Sequence, residues 1–214
     1  MIHLTKRPLP PGITIKSEND YRKGMLFDIL VEDCHSKCYI CEDKPTTINV
    51  EHRIAHRNDP ALKFDWDNLF IACGHCNNIK LIGFNNILDP TKCDPEEHIA
   101  LSVKITENLL ENVQIEPLTT DCHTLQTAEL LGYVYNGGST SIKDIECSNI
   151  RNEHLMPKIH RFLLFIDRYL AEPDLGYDVL IKEEIHRSSA FAAFKRKIVR
   201  DNPDLSTIFA EALK

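Results

Sequence analysis

Two cysteine pairs, Cys38-x-x-Cys41 and Cys73-x-x-Cys76, enclose a Glu51-His52 dipeptide and Asn68, and Asn77 follows the last cysteine directly. Thiolates are soft donors, and four of them suit a tetrahedral zinc ion. Four sulfurs close the coordination sphere, so a zinc held this way is a structural staple. The 31 residues between the pairs exceed the spacing of a simple zinc ribbon and fit two strands and a loop. Cys34, four residues before Cys38, and His75, inside the second pair, are the substitute ligands. A dithiol redox pair is the competing reading, and the presence of two such pairs favours metal.

The residues between the pairs could do acid–base chemistry. A neutral imidazole near pH 7, such as His52, can take a proton from water, as phosphodiester hydrolysis requires. The charge on the phosphate and on the leaving oxygen calls for a hard divalent cation, Mg²⁺ or Mn²⁺, on oxygen donors. Glu51 and Asn77 are such donors, and Asn68 can lock a loop through hydrogen bonds to backbone. Adjacent residues of a flat strand face opposite sides, so Glu51 and His52 serve one site only where the strand ends or twists. A Glu-His dipeptide by itself is more often structural.

The elements that must hold these residues are legible in outline. Ile48-Asn49-Val50 predicts a strand leading into Glu51, and Leu69 to Ala72 a buried second strand. Residues 56–63 form a polar loop with a turn at Asp59-Pro60, and a short helix carrying Ile79 and Ile82 starts at Asn77. Upstream, residues 1–20 are extended and proline-rich. A helix starts at Asn19-Asp20 with Tyr21, Met25, Ile29 and Leu30 on one stripe. Downstream, strands at 99–105 and 113–115 flank a connection from Asn108 to Asn112. Helices follow from about Leu125, broken at Gly137-Gly138, and then along Ile159–Leu170, Leu180–Ile185 and Phe191–Ile198. The organisation is an N-terminal arm and helix over 1–30, a core over 31–90 and a mainly helical region over 91–214, with a seam between about 84 and 125.

The 214 residues can bury a full core, and hydrophobic and charged fractions of 43% and 27% are those of a globular protein. No apolar signal segment follows Met1, and no run is long enough to span a bilayer, so a cytoplasmic location is expected. The net charge of −7 excludes a uniformly basic nucleic-acid binder. A local patch or a partner must then supply any grip on nucleic acid. Arg53, His56, Lys80 and the segment from Arg187 to Arg200, with Arg187, Lys195 and Arg196 and no acidic residue, are the candidate contacts. Cys34, Cys93, Cys122 and Cys147 are expected to be free and partly buried.

The motif resembles the HNH endonucleases, whose pattern is an acidic residue or His, the general-base His, an Asn, and a His or Asn on a helix. Here the last unit is Cys73-Gly-His-Cys76-Asn77-Asn-Ile-Lys80. The departure is Asn77, where the family more often has His. The resemblance implies an α+β fold: a ββα-metal core with a four-cysteine zinc site, embedded in a mainly helical protein. It implies His52 as general base, Asn68 as site organiser, and Glu51 and Asn77 as ligands of a catalytic Mg²⁺ or Mn²⁺. Ile2-x-Leu4-x-Lys6-Arg7-x-x-Pro10, Ile87-Leu88-Asp89-Pro90, Pro95-Glu96-Glu97-His98-Ile99, Tyr135-Asn136-Gly137 and Ser188–Arg196 extend it. Together they resemble the HNH subunit found beside an ATPase in Septu-type and retron-associated antiphage systems. That likeness implies nucleic acid as substrate, with DNA the expected form, an ABC- or SMC-like ATPase as partner and a role in antiphage defence. The competing class is a zinc-stabilised binding or adaptor module that lacks the chemistry.

Overall fold

In a computed structural model, residues 1–81, 83–104, 112–137 and 146–214 are described. The N-terminal arm is pinned down. Met1, Ile2 and Leu4 are buried, and the Leu4 amide donates to Pro90 O at 2.8 Å. Its two cations turn inward. Lys6 donates to the carbonyls of Trp66 and Leu69, and Arg7 pairs with Asp33 at 2.6 Å and with Glu32 at 2.8 Å.

The helix expected from Asn19-Asp20 is two helices, α1 (Glu18–Arg22) and α2 (Met25–Asp33). Lys23 is extended and Gly24 adopts φ +71°, a left-handed conformation that glycine tolerates without a Cβ clash. The break rotates the stripe: Tyr21 and Leu30 are buried, whereas Met25 is exposed.

Strand β1 (Ile48–His52) pairs antiparallel with β2 (Leu69–Cys73), placing Val50 opposite Ile71 and His52 opposite Leu69. Between them, α3 (Pro60–Lys63) is a single turn inside the expected loop. The Asp59 carboxylate caps it, and Pro60 occupies the first helical position, where no amide is needed. Helix α4 (Gly74–Lys80) begins inside the second cysteine pair, three residues before the expected start at Asn77, because the Cys73 sulfur caps it.

Strands β3 (Ile99–Lys104) and β4 (Asn112–Pro117) form a second antiparallel pair. Ile82, Ile105, the connection at 108–111 and Gly138 lie outside the described residues. Helix α5 (Cys122–Asn136) starts at an Asp121 cap and ends at Gly137, φ +78°. A π-helical turn (Ile150–Leu155) leads into α6 (Met156–Ala171), then α7 (Tyr177–Ile185), α8 (Ala192–Asp201) and α9 (Pro203–Ile208).

One hydrophobic core draws on all three sequence segments. It joins Ile2 and Leu30, the four cysteines with Leu69 to Ala72, and Leu130, Tyr135 and Phe194. Packing therefore crosses the expected seam at 84–125, as where the Tyr135 hydroxyl of α5 donates to Cys41 O at 2.7 Å. A smaller cluster of Phe162, Ile166, Ile181, Ile185, Val199, Leu205 and Phe209 ties the last helices together. Each fully buried aliphatic or aromatic side chain contributes about 1.5–3 kcal/mol. No helix among the described residues is long and apolar enough to cross a membrane.

Candidate metal centre and the cleft beside it

The sulfurs of Cys38, Cys41, Cys73 and Cys76 all lie within 4.8 Å of one another, and all four residues are buried. The chain reaches this point by two routes. The first pair follows α2 through two residues of left-handed backbone, His35 and Ser36, and docks on β2 where the Tyr39 amide donates to Ile71 O at 2.9 Å. The second pair is the β2–α4 junction itself. From α5, the Tyr135 hydroxyl donates to Cys41 O at 2.7 Å.

The donor set fits zinc. Burial opposes ionisation of Cys38, yet hydrogen bonds from the other three thiols outweigh it and hold Cys38 well below the usual thiol range. Cys41 is pushed well above that range by its bonds to Cys38 and Cys73, and Cys76 by burial first. Four sulfurs this close cannot all ionise without a cation, which is what a soft dication supplies. The substitute ligands are elsewhere. Burial pushes the Cys34 thiol up to about 11, so it stays neutral. Both ring nitrogens of His75 are engaged, Nδ1 with Glu146 at 3.2 Å and Nε2 with Val134 O at 3.0 Å. Of the remaining cysteines, Cys147 is buried, Cys93 half-buried and Cys122 exposed, the last contrary to expectation.

A cleft of about 330 Å³ opens beside the cysteine cluster, lined by Glu51, His52, His56 and Asn77 together with Arg22 and Arg57. Glu51 and His52, the last two residues of β1, both line it. His52 Nε2 lies 3.0 Å from the Lys63 carbonyl. A carbonyl only accepts, so Nε2 carries the proton and Nδ1 keeps the lone pair. Burial lowers the His52 pKa, with the Lys63 carbonyl opposing, and the ring is neutral at pH 7. Asn68 is buried and holds the loop: its side chain accepts from the Ile54 amide at 2.8 Å and donates to the carbonyls of Ile54 and Leu62.

Glu51 is buried, and both of its oxygens are engaged. One oxygen accepts from the Tyr39 hydroxyl at 2.7 Å and the other pairs with Lys80 at 2.8 Å. Burial raises its pKa, and Lys80 and Tyr39 pull against that shift without cancelling it. Each carboxylate oxygen retains a second lone pair, so Glu51 can still offer one to a cation. Lys80, however, neutralises its charge.

Three expected nucleic-acid contacts are corrected by burial. Lys80 is fully buried on Glu51 and the His52 carbonyl. Lys195 is fully buried on Glu184, Ser189 and the Ala190 carbonyl. Arg196 is enclosed by Glu96 and the carbonyls of Ile185 and Leu213. Arg187 pairs with Asp94 at 2.7 Å and Arg53 with Asp89 at 3.4 Å, both largely covered. Of the six, only His56 faces the cleft beside His52, with ring centroids 4.6 Å apart.

Sequence reasoning missed Lys80 and Tyr39 as the residues that hold Glu51. A signal was present for Lys80. It lies four residues after Cys76, on the same helix face, and that face is buried. A second buried ionic centre at the first cysteine pair was also missed: Glu42 meets the Met1 ammonium at 3.0 Å and Lys37 at 3.6 Å. No protein-family model, curated protein or solved structure matches this chain.

Proposed function

We propose that this chain is a metal-dependent HNH endonuclease that hydrolyses phosphodiester bonds of DNA, built on a ββα-metal core with a structural zinc. The observation that carries the reading is the shared cleft: His52 and Glu51 from the end of β1 and Asn77 from α4 line one opening beside the four-cysteine cluster. His52 takes the proton from the attacking water on Nδ1, since Nε2 is committed to Lys63 O. Asn68 keeps the loop over 54–62 in register with the strand end. A hard divalent ion on Glu51 and Asn77 would supply charge stabilisation at the phosphate. The antiphage resemblance adds an ABC- or SMC-like ATPase partner, and the net charge of −7 suits a nuclease whose grip on DNA is shared with a partner.

Plasmid DNA incubated with Mg²⁺ or Mn²⁺, with and without a co-expressed ATPase, tests the reading. His52→Ala should lower cleavage by about 10²–10⁴-fold with the fold intact. Cleavage equal to wild type removes His52 as the base. The enclosure of Glu51 by Lys80 and Tyr39 favours a second reading, a zinc-stabilised adaptor without chemistry. ATPase or DNA binding without cleavage under any metal condition supports that alternative.

A further inference from the structure

Next to Arg22, which lines the cleft, lies an arrangement that neither the zinc nor the hydrolytic residues require. Glu18, on α1, places one carboxylate oxygen 2.8 Å from Arg22 and the other 2.7 Å from Lys63. Arg22 lines the cleft, and Lys63 is the residue whose carbonyl fixes His52. Arg22 is 54% exposed and Glu18 40%, and Lys63, at 24%, is covered in part and opens at its ammonium when Glu18 leaves. A carboxylate that gives one oxygen to each of two cations has the acceptor pattern of a phosphodiester, whose two non-bridging oxygens carry the same single negative charge.

His56 completes the set. Its Nδ1 accepts the Asn58 amide at 3.0 Å, through a turn in which Arg57 and Asn58 both take left-handed backbone. With Nδ1 accepting, the ring proton sits on Nε2. That nitrogen is therefore a hydrogen-bond donor to an anionic oxygen and not a metal ligand.

We infer that the mouth of the His52 cleft is a phosphodiester-binding subsite formed by Arg22, Lys63 and His56, and that Glu18 holds its two cations until the backbone of DNA displaces it. This rests on the nuclease reading for the choice of DNA. The subsite explains how an acidic chain can grip DNA locally after Lys80, Lys195 and Arg196 have been withdrawn into the core.

The test is equilibrium binding of a fluorescent DNA duplex to the full, zinc-loaded chain at low salt without added Mg²⁺ or Mn²⁺, so that the structural zinc stays in place and cleavage is not supported. Glu18→Gln should tighten binding by about two- to fivefold, the equivalent of one exposed ion pair no longer competing. Arg22→Gln should weaken it and lower the slope of log affinity against log salt by about one. Glu211→Gln, which removes the same charge from a pair with Lys214 outside the cleft, should leave affinity unchanged. Equal tightening by Glu211→Gln, no response to Glu18→Gln and Arg22→Gln, or no binding by wild type and Glu18→Gln would each overturn the inference. Such a failure beside intact His52-dependent cleavage removes the subsite alone. The expected binding changes without any cleavage remove the nuclease reading and leave the subsite standing.

Discussion

Lys80 and Glu51 form a buried ion pair at 2.8 Å, and the same ammonium donates to the His52 carbonyl at 2.9 Å. One residue of α4 thus fixes both the carboxylate and the strand end of the cleft. Lys80→Met should cost about 3–5 kcal/mol in urea unfolding, because it strands a carboxylate in the core. Replacing both residues by leucine should recover much of that loss. A loss below about 1 kcal/mol for the single variant would mean that Glu51 does not depend on Lys80.

The four-cysteine cluster predicts one zinc per chain, retained under reducing conditions. Cys73 matters twice, as a ligand and as the cap of α4, where its sulfur accepts from the Cys76 amide at 3.4 Å. Cys73→Ser should lose the metal and unfold cooperatively at lower denaturant, since zinc-binding energy is folding energy. Elemental analysis with circular dichroism reads both effects. A metal-free Cys73→Ser protein as stable as wild type would speak against the staple.

Asn68→Ala removes three partly buried hydrogen bonds to the 54–62 loop. The expected cost is about 1–3 kcal/mol, with faster hydrogen exchange at the Ile54 amide. Unchanged protection at Ile54 would show that the loop is held by something else.

Lys195→Met separates core cations from surface ones. Lys195 meets Glu184 beneath the surface. The variant should unfold more readily yet bind DNA as wild type does. A several-fold loss of DNA affinity at unchanged stability would restore Lys195 to the nucleic-acid interface.

The expectation for Lys195 and Arg196 failed for a physical reason. Lys195 lies four residues after Phe191 and four before Val199, on the apolar stripe of α8, so its charge points into the protein. Its partner Glu184 sits on α7, across the turn before α8, and the partner of Arg196, Glu96, lies 100 residues away, so neither is announced by the pattern of α8 itself. The helix from Asn19 failed locally instead: Gly24 was the visible breaker, and the apolar spacing across it was misleading.

Sequence alone determined the cysteine cluster, the order strand, strand, helix around Glu51-His52, and the loop-locking role of Asn68. Those features rest on short-range spacing, strand alternation and hydrogen-bonding capacity, which are properties of neighbouring residues. Only the tertiary structure decided which charges face water. It placed Lys80, Lys195 and Arg196 in the core, left Arg22 and His56 lining the cleft, and paired Lys63 with Glu18. A charge can be buried only against a partner, and the partner's position depends on how distant segments pack.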